Sequence, residues 1–327
     1  MQILVFPAIL TVVASVAAYA WGGPTALFLL VILVVLETTL SFDNAVVNAK
    51  VLSRMDEKWQ RRFLTWGIPI AVFGTRFVLP ILIVSAAAAI DPIAVFKLAI
   101  FDSIRYGEYL HDAHVSIAAF GSAFLFLVSL KYFFNTAKTV HWLGWIERYF
   151  SRWGGIEAIE IALVLLILLV AAFFEPQKAA AILMAGLIGI ILFIVIQGVA
   201  QSFEMKAGHE TVAAGAALFV YLNVLDSAFS LDGVVAAFAV TSSLPLIIAG
   251  LGIGALFVRS FTVLLVRAKT LETLIYLEHG AHWAILGLAL AMLMSIFVHV
   301  PEIITGLIGL VFIILAYISS RREMRAT

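Results

Sequence analysis

The sequence of 327 residues contains no cysteine, which excludes disulfides, thiolate metal ligands and cysteine nucleophiles. Charged residues are also scarce: they make up 12% of the chain, against about 25% in soluble domains. The formal net charge is zero and no basic tail is present, so we expect no nucleic-acid partner. Neither a glycine-rich phosphate loop nor a serine nucleophile motif stands out, and the sequence does not predict an enzyme. Any metal site must therefore use oxygen and imidazole ligands.

Hydrophobic residues make up 64% of the chain, and several apolar runs reach the roughly 20 residues that span a bilayer. The predicted fold class is an all-α, polytopic membrane protein of about ten transmembrane helices. The predicted spans lie at about 3–20, 26–50, 63–90, 114–134, 156–174, 179–203, 212–240, 244–267, 276–299 and 302–319. Ala18-Tyr19-Ala20 resembles a signal-peptidase site, but no Lys or Arg precedes it, which favours a retained first helix.

The positions of Lys and Arg set the expected orientation in the membrane. Most of them follow even-numbered spans, as Arg54, Arg61, Arg148 and Arg321 do. Such an excess marks the cytoplasmic side. We therefore predict a multi-pass protein of the bacterial cytoplasmic (inner) membrane, with the lipid bilayer as its partner and both termini in the cytoplasm. The sequence is compatible with a homo-oligomer and does not fix the oligomeric state.

Two parts of the sequence carry similar polar landmarks in the same order. ETTLSFDNAVVNAKV (37–51) resembles DSAFSLDGVVAAFAV (226–240), AVFGTRFVLPILIV (71–84) resembles GALFVRSFTVLLV (254–266), and HDAHVSIAAFGSAFLFL (111–127) resembles HGAHWAILGLALAMLMS (279–295). Because the matched spans run in opposite directions, we predict two inverted repeats, 1–175 and 176–327, in one membrane domain. Such transporters bind substrate near the midplane, on broken helices. A repeat that records only an ancient duplication, without transport, is the alternative.

Each copy of the acidic motif places two carboxylates six residues apart. Residues six apart do not share a face of a regular helix, so a helix broken near Ser41 to Asn44 would be needed to bring them together. The predicted metal ligands are Glu37, Ser41, Asp43, Asn44, Asp226, Ser230 and Asp232, with Arg76 and Arg259 balancing charge. Ionised, the four acids exceed the two arginines by two negative charges, which a divalent cation would neutralise. Structural ion pairs between the acids and the arginines are the alternative.

Two histidine pairs, His111 with His114 and His279 with His282, each lie three residues apart and so on one helix face. The pairs fall toward opposite sides of the membrane. They are predicted either to admit and release a metal ion or to relay protons. Alternatively, they are interfacial histidines that are hydrogen-bonded to the backbone or to nearby acids. The segment 91–110 has no counterpart in the second half and is predicted to be an outer interfacial helix or a cover.

ETTLSFDNAVVNAKVL, together with NVLDSAFSLDGVVAAFAVT and YLEHGAH at 276–282, resembles the TerC family of integral membrane proteins, in the subgroup with the YLEHGAH motif. The resemblance covers roughly residues 25 to 320. It implies a role in metal-ion homeostasis, chiefly manganese export, or in tellurium resistance. It also implies that Glu37, Asp43, Asn44, Asp226 and Asp232 are the family's signature acidic positions. The additional amino-terminal span and the segment 91–110 depart from the shorter members of that family.

Together these observations predict a secondary transporter that exports a divalent cation, with Mn²⁺ favoured, and that has no permanently bound cofactor. Because no nucleotide-binding motif is present, the energy is expected to come from an ion gradient such as H⁺. The alternatives are a membrane scaffold or metal-delivery partner that transports nothing itself, and an exporter of a small organic cation. Neither the metal, the coupling ion nor the direction of transport follows from the sequence.

Overall fold

The computed structural model describes residues 2–207 and 212–326; the side chains of a few helical positions, Asp232 among them, lie outside the described set. The described residues form an all-α structure, as predicted. Its helices are α1 (Gln2–Leu40), α2 (Phe42–Leu52), α3 (Glu57–Thr65), α4 (Gly67–Pro69), a π-helix (Ile70–Val78), α5 (Leu79–Ala88), α6 (Pro92–Phe101), α7 (Ser103–Asp112), α8 (His114–Phe133), α9 (Gly144–Trp153), α10 (Ile159–Phe174), α11 (Ala179–Ala207), α12 (Val212–Val240), α13 (Leu244–Arg267), α14 (Thr270–Thr273), α15 (Leu277–Met294) and α16 (Glu302–Ala326).

The helix lengths make the chain a multi-span membrane protein. Within the described residues, six helices are long and apolar enough to cross a bilayer, or seven if the bent pair Arg76–Ala88 and Pro92–Phe101 is one span. The ten predicted spans are not shown. Two differences have a simple cause: the first two predicted spans are joined in α1, and α10 has only 16 residues, fewer than the roughly 20 that span a bilayer.

A kink divides α1 at Gly22 and Gly23. Gly23 has φ 66° and ψ −157°, a conformation that glycine adopts without a steric penalty, and Pro24 follows it. The apolar stretch Leu4–Leu40 has 37 residues, which at about 1.5 Å per residue would exceed the roughly 30 Å bilayer core. The kink therefore separates the stretch into two segments of membrane-spanning length or slightly less.

The predicted break near Ser41 is confirmed in the first half of the chain. Ser41 lies between α1 and α2 with φ −102° and ψ 14°, outside helical geometry, while its N–H still donates to the carbonyl of Glu37 at 3.1 Å. The prediction of broken helices in both halves is wrong for the second. There, α12 runs without interruption through the motif that contains Asp226. Gly233, which we expected to tolerate a break, is helical.

The region predicted as a regular span at 63–90 is irregular. It begins with the end of α3, passes through α4, and continues as a π-helix that contains Arg76, a form that recurs at functional sites. After α5, Ala89 adopts the left-handed conformation with φ 53°, and the chain bends by 120° into α6. The segment 91–110 forms the short helices α6 and α7, whose first turns are capped by the carboxylates of Asp91 and Asp102.

The centre of the bundle is α8, which is buried along nearly its whole length and packs against α11 and α15. A second tight pair is α1 with α13. Glycines permit these close approaches: a Cβ at Gly250 of α13 would collide with Leu33, and one at Gly189 of α11 would lie 2.6 Å from the carbonyl oxygen of Phe120. Small residues at helix contacts are typical of membrane bundles, where van der Waals packing replaces the hydrophobic effect.

Candidate functional site

Glu37 and Arg76 form a buried ion pair between α1 and the π-helix. Arg76 Nη2 donates to Glu37 Oε1; the side chain of Arg76 is 5% exposed and that of Glu37 is 1% exposed. Ser41 Oγ donates to the same carboxylate oxygen at 3.0 Å. Two glycines make room for this carboxylate: a Cβ at Gly233 would lie 3.0 Å from Oε2, and one at Gly254 would lie 2.5 Å from the Cβ of Glu37.

Asp226 and Arg259 form the corresponding pair on α12 and α13. Arg259 Nη2 lies 3.4 Å from Asp226 Oδ2, and both residues are buried. Its Nη1 donates to the carbonyl of Phe63 at 2.9 Å, and the guanidinium lies over the Phe63 ring, 4.3 Å from the centroid. A cation over an aromatic face is electrostatically favourable. This arginine is therefore held by three separate contacts.

The two ion pairs interact with each other. Arg76 interacts electrostatically with Asp226 as well as Glu37, and Arg259 interacts with Arg76. The arrangement is the one that we gave as the alternative to metal ligation for these residues. Because each of these two carboxylates is already opposed by a guanidinium, their charges do not call for a metal ion.

Asp43 differs from Glu37 and Asp226. It lies in the first turn of α2, is buried, and has no ion-pair partner among the described residues. Its Oδ1 has no hydrogen-bond partner in the same set, and neither do Oδ1 of Asn44, Oδ1 of Asn48 and Oγ of Ser230. Gly309 of α16 faces the carboxylate, since a Cβ there would lie 3.7 Å from Asp43 Cγ. α2 packs against α12, the helix that carries Ser230.

The expected metal centre of four acids stays a prediction. Among the side chains that the structure describes, no group of three or more His, Asp or Glu could hold a metal ion. Asp232, one of the four acids, lies outside that set. What the described residues place in the interior is a single unpaired carboxylate with amide and hydroxyl oxygens on α2 and α12. Asn48 had not been singled out in the sequence.

The histidines of the second pair, His279 and His282, lie in the first turns of α15, next to the loop between α8 and α9. Nδ1 of His279 donates to Oε2 of Glu147 at 2.8 Å, and Nδ1 of His282 donates to the carbonyl of Glu278 at 2.8 Å. Nε1 of Trp283 donates to Oε1 of Glu147 at 3.0 Å, and Nζ of Lys138 lies 2.9 Å from Oε2. These contacts match the alternative of hydrogen-bonded interfacial histidines.

Glu147, on α9, is the centre of this loop network and was missed in the sequence. Nothing in the surrounding HWLGWIERYF distinguishes it from a solvent-exposed acid, because its partners come from residues 132 positions or more away and from the loop itself. Its side chain is 0% exposed. Burial raises its pKa, but the hydrogen bond from His279 and the ion pair with Lys138 outweigh burial and hold the pKa well below its usual range. Burial lowers the pKa of Lys138 despite the adjacent carboxylate.

The first histidine pair lines a cavity of about 490 Å³ between α7, the start of α8, α12, α15 and α16. His111 and His114 contribute to its wall, and so does His299, which follows α15 and had not been singled out. Ser242 and Thr305 also line the cavity. The segment 91–110 supplies part of the wall through α7. Its role as an outer interfacial helix or a cover stays a prediction.

Comparison with known proteins corrects the family expected from the sequence. A comparison with curated proteins and one with solved structures give no match. The family that does match is described as "Protein of unknown function (DUF475)", over residues 42–327, and membership of the TerC family is therefore wrong. The resemblance rested on short acidic motifs in apolar helices and on YLEHGAH, whereas the family model matches 286 residues of the chain, 42–327. The match begins inside the first motif, after Glu37 and Ser41. The chain belongs to the DUF475 family.

Proposed function

We propose that the protein is a secondary transporter that moves a divalent cation, with Mn²⁺ favoured, through the buried polar centre around Asp43. The single observation that carries the proposal is this carboxylate itself, buried in an apolar bundle without an ion-pair partner among the described residues. An ionisable residue within a membrane helix is energetically costly and usually functional.

The chemistry of the neighbouring atoms supports a cation rather than an anion. The buried oxygens without a hydrogen-bond partner in the described set include Oδ1 of Asp43, Asn44 and Asn48 on α2, which only accept hydrogen bonds, and the hydroxyl of Ser230 on α12. A cation bound at Asp43 would supply the partner that its buried Oδ1 lacks. Oxygen donors of these types suit Mn²⁺, Mg²⁺ and Ca²⁺.

The charges support a divalent ion. Of the four acids in the two motifs, Glu37 and Asp226 are opposed by Arg76 and Arg259. The proposal assigns the other two acids, Asp43 and Asp232, to the ion, and if both are ionised they carry the two negative charges that a divalent cation would neutralise. In this proposal the two arginine pairs hold the helices in register, whereas Asp43 and Asp232 bind the ion.

The architecture that we propose is the inverted repeat of ten spans. Two sets of contacts support it. The acid of span 2 pairs with the arginine of span 3, and the acid of span 7 pairs with the arginine of span 8, which are equivalent positions in the two halves. Likewise α1 packs on α13 while α12 packs on the π-helix, and α8 packs on α15 across the two halves. Such pairs of related halves rock around a fixed central site in alternating-access transporters.

The experiment is a flux assay with purified protein in liposomes that enclose a Mn²⁺-sensitive dye, driven by an imposed proton gradient. We expect wild-type protein to move Mn²⁺ and the Asp43→Asn variant to lose most of that flux. The matched control is Glu57→Gln, the corresponding acid-to-amide change at an exposed residue of α3 that pairs with Arg61. Equal flux for Asp43→Asn and wild type contradicts the site. If wild-type protein moves no ion, the alternative of a membrane scaffold or metal-delivery partner is favoured. If it moves a small organic cation but not Mn²⁺, the alternative of an organic-cation exporter is favoured.

A further inference from the structure

The cavity lined by His111, His114 and His299 lies next to the centre around Asp43, and two helices connect them. On α16, Thr305 lines the cavity, and Gly309, four residues later and so on the same helix face, lies against the carboxylate of Asp43. The cavity wall and the polar centre are therefore about one helical turn apart along α16.

The second connection runs along α12. Val235 and Ala239 of this helix line the cavity. Position 232 lies three and seven residues before them, which places it on the same face of the continuous helix α12. The polar centre around Asp43 is thus linked to the cavity through α16, and position 232 is linked to it through α12.

We propose that this cavity is a low-affinity binding site for first-row transition-metal dications, and that it forms one mouth of the cation path. Its role in transport rests on the proposed function, whereas its metal binding does not. Imidazole is a ligand for transition metals but not for Mg²⁺ or Ca²⁺, which prefer oxygen. The site therefore narrows the proposed substrates to ions that accept both donor types, such as Mn²⁺, Fe²⁺ or Co²⁺.

The geometry indicates weak rather than tight binding. No three ligating side chains in the described structure converge closely enough to hold an ion, so the cavity offers at most two imidazoles at a time, with water completing the coordination. His111 and His299 are both exposed, so water reaches the site. Weak binding suits a mouth, because an ion that is held too firmly does not move on.

The test is a Co²⁺ titration of the purified protein, monitored by the visible absorption of the bound ion, with Mg²⁺ as the competitor. We expect the affinity for Co²⁺ to fall by about tenfold or more in His111→Ala/His114→Ala and in His299→Ala. The control variant is His141→Ala, which removes an imidazole that does not line the cavity and should leave the affinity unchanged. If an alanine variant fails to fold, His299→Gln takes its place, because His299 is exposed; it should lower the affinity for Co²⁺ in the same way.

Two results would overturn the site: unchanged Co²⁺ affinity in the triple variant of His111, His114 and His299, or Mg²⁺ displacing Co²⁺ at equal concentration. Mn²⁺ flux of Asp43→Asn, measured beside Co²⁺ binding of the histidine variants, separates this inference from the proposed function. If Asp43→Asn keeps full Mn²⁺ flux while the histidine variants lose Co²⁺, the proposed function fails and the metal site stands. If Asp43→Asn loses Mn²⁺ flux while the histidine variants keep their Co²⁺ affinity, the polar centre stands and the cavity is not a metal site.

Discussion

Arg76 donates a hydrogen bond to Glu37 across a separation of 39 residues in the chain, and both side chains are almost completely buried. The pair joins α1 to the π-helix, and an equivalent pair of Asp226 and Arg259 joins α12 to α13. Two buried ion pairs thus fix the helices that surround the polar centre, and they leave Asp43 as the acid without such a partner among the described residues.

The Glu37–Arg76 pair should show strong coupling in stability. Removing one partner leaves a buried charge and is expected to cost about 3–5 kcal/mol, so Glu37→Gln and Arg76→Gln should each destabilise strongly. The double variant should lose less than the sum of the two, by about 0.5–3 kcal/mol. Thermal unfolding in detergent measures this cycle. Additive effects would show that the two side chains act independently.

Gly254 should be intolerant of a methyl group. A Cβ there would overlap the side chain of Glu37 and push α13 away from α1, so Gly254→Ala should lower both thermal stability and transport. Gly198→Ala in α11 is the matched control, because a Cβ at Gly198 meets nothing within 4 Å. That change should be neutral or slightly stabilising, since alanine favours helix by about 1 kcal/mol over glycine. Similar losses at both positions would contradict the proposed packing.

Asn48 should matter for the ion and not for the fold. Its buried Oδ1 has no hydrogen-bond partner in the described structure, so Asn48→Leu removes an unsatisfied polar atom and should leave stability unchanged or raise it by about 1 kcal/mol. The same change should weaken Mn²⁺ transport, because it removes a proposed ligand from α2. Thermal unfolding and liposome flux, measured on the same preparation, separate the two effects. Loss of stability with full flux would show that Asn48 is structural.

The loop held by Glu147 should open in acid. The pKa of Glu147 in the folded protein lies below its ordinary value of about 4.3, so the carboxylate stabilises the folded state above that pH. The contribution is lost as the pH falls below about 4 toward the lowered pKa. Hydrogen exchange of residues 135–146 should rise over this window in the wild type. Glu147→Gln should exchange faster already at pH 7 and show little change in acid.

Most of the helices could be predicted from the sequence, because long apolar runs in a bilayer have few structures open to them. The span predicted at 244–267 coincides with α13, and 114–134 differs from α8 by one residue at its end. The kink at Gly22 and Gly23 lies between the first two predicted spans, 3–20 and 26–50. The π-helix around Arg76 was not predicted, because its hydrogen bonding depends on packing against α12 and α13 and leaves no periodic signal.

The site was predicted in part. The two motifs identified the buried acids and arginines, and the pairing of each arginine with an acid was among the alternatives. The continuous α12 was not foreseen, since a glycine after Asp232 is compatible with either a break or a close helix contact. Asn48, Glu147 and His299 were missed because each acquires its neighbours only in the folded chain. The family was also misjudged, because short motifs were weighed above the whole sequence.

The most direct test of the proposed centre is an anomalous difference map from crystals soaked in Mn²⁺. We predict a peak at coordination distance, about 2–2.6 Å, from the carboxylate of Asp43, with the oxygens of Asn44, Asn48 or Ser230 among its neighbours. The peak should disappear in Asp43→Asn and persist in Glu57→Gln. A map in which Mn²⁺ binds only elsewhere, with Asp43 contacting protein groups alone, would contradict the proposal that this acid holds the transported ion.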